Sequence, residues 1–254
     1  MNLQLEAELE LVKAERDAMK LELQDTNIEK QELALKLDSV DKVNCGAGFP
    51  ALATRTLAER RGKYYMNIGL QLINFYFHMM NDRDASLVEV GTLPQRSYFF
   101  STYFYLKMMI NGAYSFTAIS KFTVKVNLFA MNKIFVPVHV RTCMKNHWSL
   151  TVVFVTEHRT QYYDSMEGSG MPCLKMLLRY LRDELQDKKG ELLIDTDWEL
   201  VDTTTNTPQQ DNCHDCGVFT CLYAECLSLN KSLSFSQQDI PFNRNRMALQ
   251  IISS

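Results

Sequence analysis

The segment that most constrains the fold is a run of three strand-type stretches, Ile134–Val140, Trp148–Val155 and Thr160–Asp164. Each is rich in β-branched and aromatic residues, and the breaks between them are short and polar. Consecutive strands with short connections usually pair as neighbours, which predicts a meander. A helix over Pro172–Gln186, with leucines at helical spacing, and a strand over Trp198–Val201 are predicted to follow it.

The first 42 residues have a different composition from the rest of the chain. Met1–Lys42 contains neither Gly nor Pro and is dominated by Leu, Ala, Glu, Lys and Gln, which predicts a long helix. Its leucines follow coiled-coil spacing imperfectly, so self-association or partner binding through this helix and a solvated acidic extension both stay open. Residues 43–65, which contain the first glycines and proline, are interpreted as linker and lead-in.

Residues 66–254 are predicted to form the globular domain. At its start, Asn67–Met80 has the pattern of an amphipathic helix, which is expected to end at the polar turn Asn81–Asp84. The aromatic residues concentrated between Tyr98 and Phe129 are expected to form packed core, because large aromatic side chains are mostly buried.

Bulk composition excludes several function classes. A net charge of -3 argues against a nucleic-acid partner. The acidic N-terminus does not resemble a signal peptide, and the apolar stretches are too short to span a membrane, so neither secretion nor a membrane partner is expected. The 7 cysteines form an odd set, which favours free thiols in a reducing compartment.

Cys216 is the leading candidate for a nucleophile. It lies where the polar stretch Asp211–Asp215 gives way to an apolar helical pattern, so its thiol is predicted at a helix N-terminus. Unpaired backbone N–H groups and the helix dipole lower the pKa of a thiol in that position. A buried structural cysteine is the competing interpretation. The sequence therefore makes Cys216 a candidate nucleophile, which also requires a base and an acid that orients the base.

A thiolate nucleophile needs a base that also protonates the leaving amine. The chain has 5 histidines. His147 stands at the entry to a predicted strand, at a sheet end where a side chain can project into a cleft. Structural or solvated roles fit three others better: His78, His139 and His158.

An acid that orients the base and a donor to the oxyanion complete the predicted machinery. Asp164 ends the strand that neighbours the one following His147, so the hairpin would bring these residues together. The competing carboxylates are Asp195, Asp197 and Asp215. Gln210, in a turn before Cys216, is the predicted oxyanion donor together with the backbone N–H of Cys216, and Gln209 is its rival.

Four short motifs stand in one order: His147-Trp148-Ser149-Leu150, Tyr162-Tyr163-Asp164-Ser165-Met166, Pro208-Gln209-Gln210 and Asp215-Cys216-Gly217. In order and spacing they resemble the sentrin-specific, Ulp-type SUMO protease family. The resemblance implies an α+β, papain-like cysteine protease fold, with a mixed central sheet flanked by helices and, here, a long N-terminal helix. It also implies that His147, Asp164 and Cys216 form a catalytic triad, that Gln210 is the oxyanion residue, and that Trp148 lines a tunnel around the substrate tail.

The activity implied by the resemblance is that of a thiol isopeptidase or endopeptidase. Such an enzyme cleaves after the C-terminal Gly-Gly of SUMO, to release it from lysine or to mature its precursor. The implied partners are SUMO or another ubiquitin-like modifier and its conjugates, without a cofactor or metal. The implied location is the nucleus, with the cytoplasm as an additional location. A divergent paralogue that acts as a binding module or scaffold, and a protease for another modifier, stay open.

The chain also departs from the family pattern. Asn67 and Leu70 stand where the family has a tryptophan lid and a carboxylate, and Phe122 stands where it tends to have tryptophan. Cys213 replaces a glycine and creates a Cys-x-x-Cys motif with Cys216. Three alternative roles for that motif stay open: a redox pair, a zinc site that also uses His214 and Cys221, and reversible oxidation that joins Cys216 to Cys213.

Overall fold

The computed structural model describes residues 51–110, 112–141, 146–202 and 207–253. Side chains are described for these residues except 51–69, 110, 141, 146 and 251–253. The predicted helix over Met1–Lys42 and the first part of the linker lie outside the described residues. The chain divides into two units, Met1–Arg60 and Arg61–Ser254, and the second contains the sheet and the candidate site. None of the described helices is long and apolar enough to span a bilayer.

Within the described residues, a mixed sheet contains five strands: β1 (Tyr98–Phe99), β4 (Lys133–Arg141), β5 (Asn146–Phe154), β6 (Arg159–Tyr163) and β7 (Glu199–Val201). Their order across the sheet is β1-β4-β5-β6-β7. The three middle strands pair antiparallel, which confirms the predicted meander, and the two edge strands pair parallel. Two short strands, β2 (Met109–Ile110) and β3 (Ala113–Tyr114), form a separate antiparallel pair.

Five α-helices are described beside the sheet. They are α1 (Ala51–Glu89), α2 (Thr102–Met108), α3 (Met171–Lys189), α4 (Cys216–Ser228) and α5 (Ile240–Ser253). The predicted helices after the meander and at Cys216 are both confirmed. α3 has a proline in its first turn, and it ends at Gly190, whose φ of 68° suits a left-handed cap.

The sheet has an apolar cluster on each face, because successive side chains of a strand point in opposite directions. Phe135 of β4 packs with residues of α1, α4 and α5, whereas Ile134 and Val136 pack with residues of α2 and α3. The aromatic stretch after Tyr98 supplies much of the second cluster, including the fully buried Phe104. Its predicted role as packed core is confirmed.

The predicted turn at Asn81–Asp84 is wrong, because α1 continues through it to Glu89. The side-chain amide of Asn81 exchanges two hydrogen bonds with the backbone of Phe99, at 2.9 and 3.0 Å. Asp84 is fully buried, accepts a hydrogen bond from the backbone N–H of Ser97 and forms an ion pair with Arg83. These polar side chains therefore fasten the helix to β1 instead of ending it. The helix also includes residues 51–65, and the domain boundary at residue 66 stays a prediction.

Candidate active site

Three chain segments bring the predicted catalytic side chains to one end of the sheet. His147 is the second residue of β5, and Asp164 follows the last residue of β6. These strands pair antiparallel with Leu150 opposite Tyr163, so the start of β5 lies beside the end of β6. Cys216 is the first residue of α4, and its side chain lies in the apolar cluster on that face.

The imidazole and the carboxylate are in direct contact. Nε2 of His147 lies 2.6 Å from Oδ1 of Asp164, and both residues are buried. The same carboxylate oxygen accepts a hydrogen bond of 2.7 Å from the backbone N–H of Met166. The hydroxyl of Tyr162 lies 3.4 Å from Oδ2 and donates a stronger hydrogen bond, of 2.6 Å, to Ser149. Asp164 is therefore fixed from its own loop and from the sheet.

The thiol and the imidazole form a second contact. Cys216 is 6% exposed, is not in a disulfide, and is hydrogen-bonded to His147. Because Nε2 of His147 faces Asp164, Nδ1 is the ring nitrogen left for the thiol. Burial lowers the pKa of His147, but hydrogen bonds to Asp164 and Cys216 and the negative charges of both raise it to about 9. A base with this pKa takes the proton of the thiol and holds it as an imidazolium near neutral pH.

The two candidate oxyanion residues occupy different positions. The side-chain amide of Gln209 donates to the backbone carbonyls of Asp164 and Thr207, both at 3.0 Å, so its N–H groups are used within the loop. The side chain of Gln210 accepts from the hydroxyl of Ser165 at 2.6 Å and donates to the carbonyl of Asn212. Only one of its two amide hydrogens has a partner in these contacts. Gln210 therefore keeps one N–H donor available beside Ser165, the residue that follows Asp164.

Trp148 is buried beside the helix that carries the nucleophile. Its ring packs against His139 with a centroid distance of 4.6 Å. A Cβ atom added to Gly217 would lie 3.9 Å from Cδ1 of Trp148 and 3.7 Å from Cδ1 of Ile73. Both are ordinary van der Waals distances, so a methyl group would fit at Gly217, and the indole lies close to the start of α4.

The rival residues lie in other surroundings. His78 is exposed near Asp82, and His158 stacks on Trp198. Asp195 pairs with Arg182 at 3.0 Å. Cys221 is buried, and burial raises the pKa of its thiol strongly, so it is a poor thiolate. Within the part of the chain that the structure describes, no group of three or more His, Cys, Asp or Glu side chains is arranged to hold a metal ion.

Sequence reasoning missed the residues that hold Asp164. A Cβ atom at Gly168 would lie 2.6 Å from Oδ2 of Asp164, and one at Gly170 would lie 2.1 Å from the ring of Tyr162. Gly168 therefore allows the loop after β6 to close on the carboxylate, and Gly170 allows it to close on the ring of Tyr162. The available signal was the pair of glycines within six residues of Asp164 in a chain that has only 10.

The model of the Ulp1 protease family, C-terminal catalytic domain, matches residues 68–253. The chain belongs to this family. Among curated relatives of this Ulp1-family chain, human sentrin-specific protease 2 is 34% identical over 191 residues, and a Caenorhabditis elegans sentrin-specific protease is 30% identical over 202 residues. These alignments cover 75% and 80% of this chain, but only 30% and 27% of the relatives, so the chain spans less than a third of their length.

A solved structure confirms the predicted fold. The C-terminal Ulp1 protease domain, in complex with Smt3, the yeast ortholog of SUMO, superimposes with a TM-score of 0.57 at 21% identity. The match covers 72% of this chain and 76% of that one. The α+β architecture, with a mixed sheet flanked by helices, is therefore that of the Ulp1 family.

Leu70 departs from the family pattern, and the structure describes its surroundings. It is 7% exposed and packs in the same apolar cluster as Trp148 and Cys216. The position has therefore become part of the core of this chain and offers no carboxylate to a partner. The side chain of Asn67, the other departure on this helix, lies outside the described side chains.

Proposed function

We propose that this chain is a cysteine protease that cleaves after the C-terminal Gly-Gly of SUMO, both in precursors and in conjugates to lysine. The observation that carries the proposal is the contact of one imidazole with both a carboxylate and a thiol at the start of a helix. A protein that served only as a binding module or scaffold would not need a thiol, an imidazole and a carboxylate in contact with one another. That alternative is therefore not favoured.

The geometry supports a two-step reaction. His147 takes the proton of Cys216, and the thiolate attacks the carbonyl carbon of the terminal glycine. The side-chain amide of Gln210 and the backbone N–H of Cys216 stabilise the oxyanion that forms. His147 then gives its proton to the leaving amine, which leaves a thioester on Cys216. Water, deprotonated by the same imidazole, attacks the thioester and restores the thiol.

Asp164 has an orienting role in this proposal. Its carboxylate holds the ring of His147 through Nε2, so that Nδ1 points to the sulfur, and its charge stabilises the imidazolium. The buried position of both residues strengthens this interaction, because water does not compete with it. Trp148 is proposed to line the passage of the diglycine tail, where only a backbone without side chains could approach the indole closely.

The names of the relatives support the substrate. Curated relatives are sentrin-specific proteases, and the Ulp1 domain was solved as a complex with a SUMO protein. Leu70 is the observation that favours a second candidate substrate, because a buried leucine cannot contribute the ion pair that a family carboxylate would offer to the modifier. Another ubiquitin-like modifier is therefore the alternative substrate.

A panel of substrates tests the proposal. Purified chain is incubated with SUMO precursors, SUMO–lysine conjugates, ubiquitin and other ubiquitin-like precursors, and the products are resolved by intact mass. We expect cleavage after Gly-Gly of SUMO and none by the Cys216→Ala variant. Cleavage of a different modifier alone would replace the substrate but keep the chemistry. No cleavage of any substrate by a folded chain would contradict the proposal.

Two further proposals concern association and location. We propose that Met1–Lys42 mediates self-association or partner binding, since its composition favours a long helix with partial heptad spacing. Deletion of this segment should lower the number of chains per particle, measured from the solution mass, if the segment self-associates, and an unchanged number would remove self-association. Nuclear residence is proposed from the family resemblance, and imaging of the tagged chain in cells tests it.

A further inference from the structure

We propose that Arg244, on the C-terminal helix α5, is a positioning residue that acts through Asp215 and Asn212 on the oxyanion donor Gln210. The inference rests on the proposed function, and Arg244 lies outside the four sequence motifs that contain the candidate catalytic residues. Arg244 lies 28 residues after the nucleophile in sequence. Its guanidinium nevertheless donates to the carboxylate of Asp215, the residue directly before Cys216.

Asp215 is the centre of this network. It is buried, and its carboxylate accepts hydrogen bonds from the side chains of Asn212, at 2.7 Å, and Gln237, at 2.8 Å, in addition to that of Arg244. Burial raises the pKa of this carboxyl, but the three donors and the charge of Arg244 outweigh it and hold the pKa below its ordinary value. A buried carboxylate that lacks hydrogen-bond donors costs folding free energy. The side chains of Asn212, Gln237 and Arg244 are therefore held in position by their bonds to Asp215.

The network continues to the oxyanion donor through Asn212. The side-chain oxygen of Asn212 accepts from the backbone N–H groups of His214 and Asp215, at 3.0 and 3.1 Å. Its backbone carbonyl accepts from the side-chain amide of Gln210. A chain of hydrogen bonds therefore runs from α5 through Asp215 and Asn212 to the amide that is proposed to face the oxyanion.

The backbone of the same residue caps the start of α4, whereas its carboxylate makes no hydrogen bond to the helix. The backbone carbonyl of Asp215 accepts from the N–H groups of Val218 and Phe219, at 2.9 and 3.1 Å, so this residue forms the N-cap of the helix that begins with Cys216. Arg244 thus fixes the loop between the oxyanion side chain and the nucleophile from outside. Its own side chain is half exposed and makes no direct contact with Cys216 or Gln210 in the hydrogen bonds described.

The chain offers a matched control on the same helix. Arg246 donates to Glu225 with both terminal nitrogens, at 2.9 and 2.6 Å. Glu225 lies in α4, as Cys216 does, but close to the opposite end of that helix. Both arginines therefore connect α5 to a buried or partly buried carboxylate of the α4 region, and only Arg244 reaches the oxyanion loop.

The test compares two reactions of Cys216 in one protein. Acylation by p-nitrophenyl acetate forms an oxyanion, whereas alkylation by iodoacetamide displaces iodide and forms none. We expect Arg244→Met to slow acylation by about tenfold, less than the roughly hundredfold cost of removing an oxyanion donor outright, while alkylation changes by less than about twofold. Arg246→Met should leave the ratio of the two rates unchanged. Melting temperatures of all variants are recorded to compare folding.

A double-mutant cycle decides the route of the effect. If Arg244 acts through Gln210, Arg244→Met should have no further effect on acylation in a Gln210→Ala background. An equal loss in both backgrounds, an equal slowing of alkylation, or the same ratio change in Arg246→Met would overturn the inference. So would a wild-type Cys216 that p-nitrophenyl acetate does not acylate. The expected pattern without cleavage of any modifier would instead leave the inference standing and contradict the proposed function.

Discussion

The variant Asp164→Asn separates the charge of the carboxylate from its shape. His147 has a pKa of about 9 in place of 6.5, and Asp164 supplies two of the four favourable contributions, its hydrogen bond and its charge. The whole rise corresponds to about 3 kcal/mol, at about 1.4 kcal/mol for each pH unit. Loss of about half of it, on the order of 1.5 kcal/mol, would lower the pKa of His147 by about one unit and weaken the imidazolium–thiolate pair about tenfold relative to the neutral pair.

The assay is an NMR titration of His147, whose pKa should fall by about one pH unit in Asp164→Asn. Alkylation of Cys216 by iodoacetamide, read by mass spectrometry of the alkylated peptide, should be slower in the same variant, because a weakened imidazolium stabilises the thiolate less.

Asp195→Asn is the control, because that carboxylate pairs with Arg182 outside the site. It should leave both the rate of alkylation and the pKa of His147 unchanged. The same pKa of His147 in the wild-type chain and in Asp164→Asn would refute the reasoning, since the contact at 2.6 Å would then have no electrostatic effect on the imidazole.

Three other predictions concern His147, Gly168 and Cys213. Because the pKa of His147 is raised, the stability that its protonated ring contributes is present below about pH 6.5 and lost as the pH rises through about 9. Urea unfolding should therefore show the stability advantage of wild type over His147→Asn shrinking across that pH range. A constant difference would contradict this prediction. Gly168→Ala places a Cβ 2.6 Å from Oδ2 of Asp164, so kcat should fall with little change in KM, and unchanged kinetics would contradict this contact. Cys213 is exposed near Cys216 in sequence, so Cys213→Ser should change recovery of activity after mild peroxide, and identical dose curves would remove reversible oxidation onto Cys213.

Much of the site could be predicted because local signals and chemistry agree. Strand-type segments with short breaks predict a hairpin, and the hairpin places His147 beside Asp164 without knowledge of the rest of the fold. The change from polar loop to apolar helix places Cys216 at a helix N-terminus. Each inference uses residues that are neighbours in sequence or in one hairpin, where pairing follows directly from the pattern.

The parts that could not be predicted depend on contacts between distant segments. Asn81 and Asp84 have turn-forming side chains, yet both lie inside a helix, because β1 and the residue before it, Ser97, supply their hydrogen-bond partners. Arg244 belongs to none of the motifs in the sequence, and only the fold places it against Asp215. Gly168 becomes informative once the carboxylate of Asp164 is seen against it. Propensity is a weak guide wherever tertiary contacts satisfy a polar group.

The central claim is that the thiolate of Cys216 attacks the terminal glycine carbonyl of a SUMO-type modifier. The most direct measurement treats the chain with SUMO that carries a thiol-reactive group in place of its C-terminal carboxylate, and maps the bond by fragmentation of the modified peptide. The account predicts one SUMO per chain, attached to Cys216, lost in Cys216→Ala and kept in Cys213→Ser. Attachment to another cysteine, or no attachment to a folded chain, would contradict it.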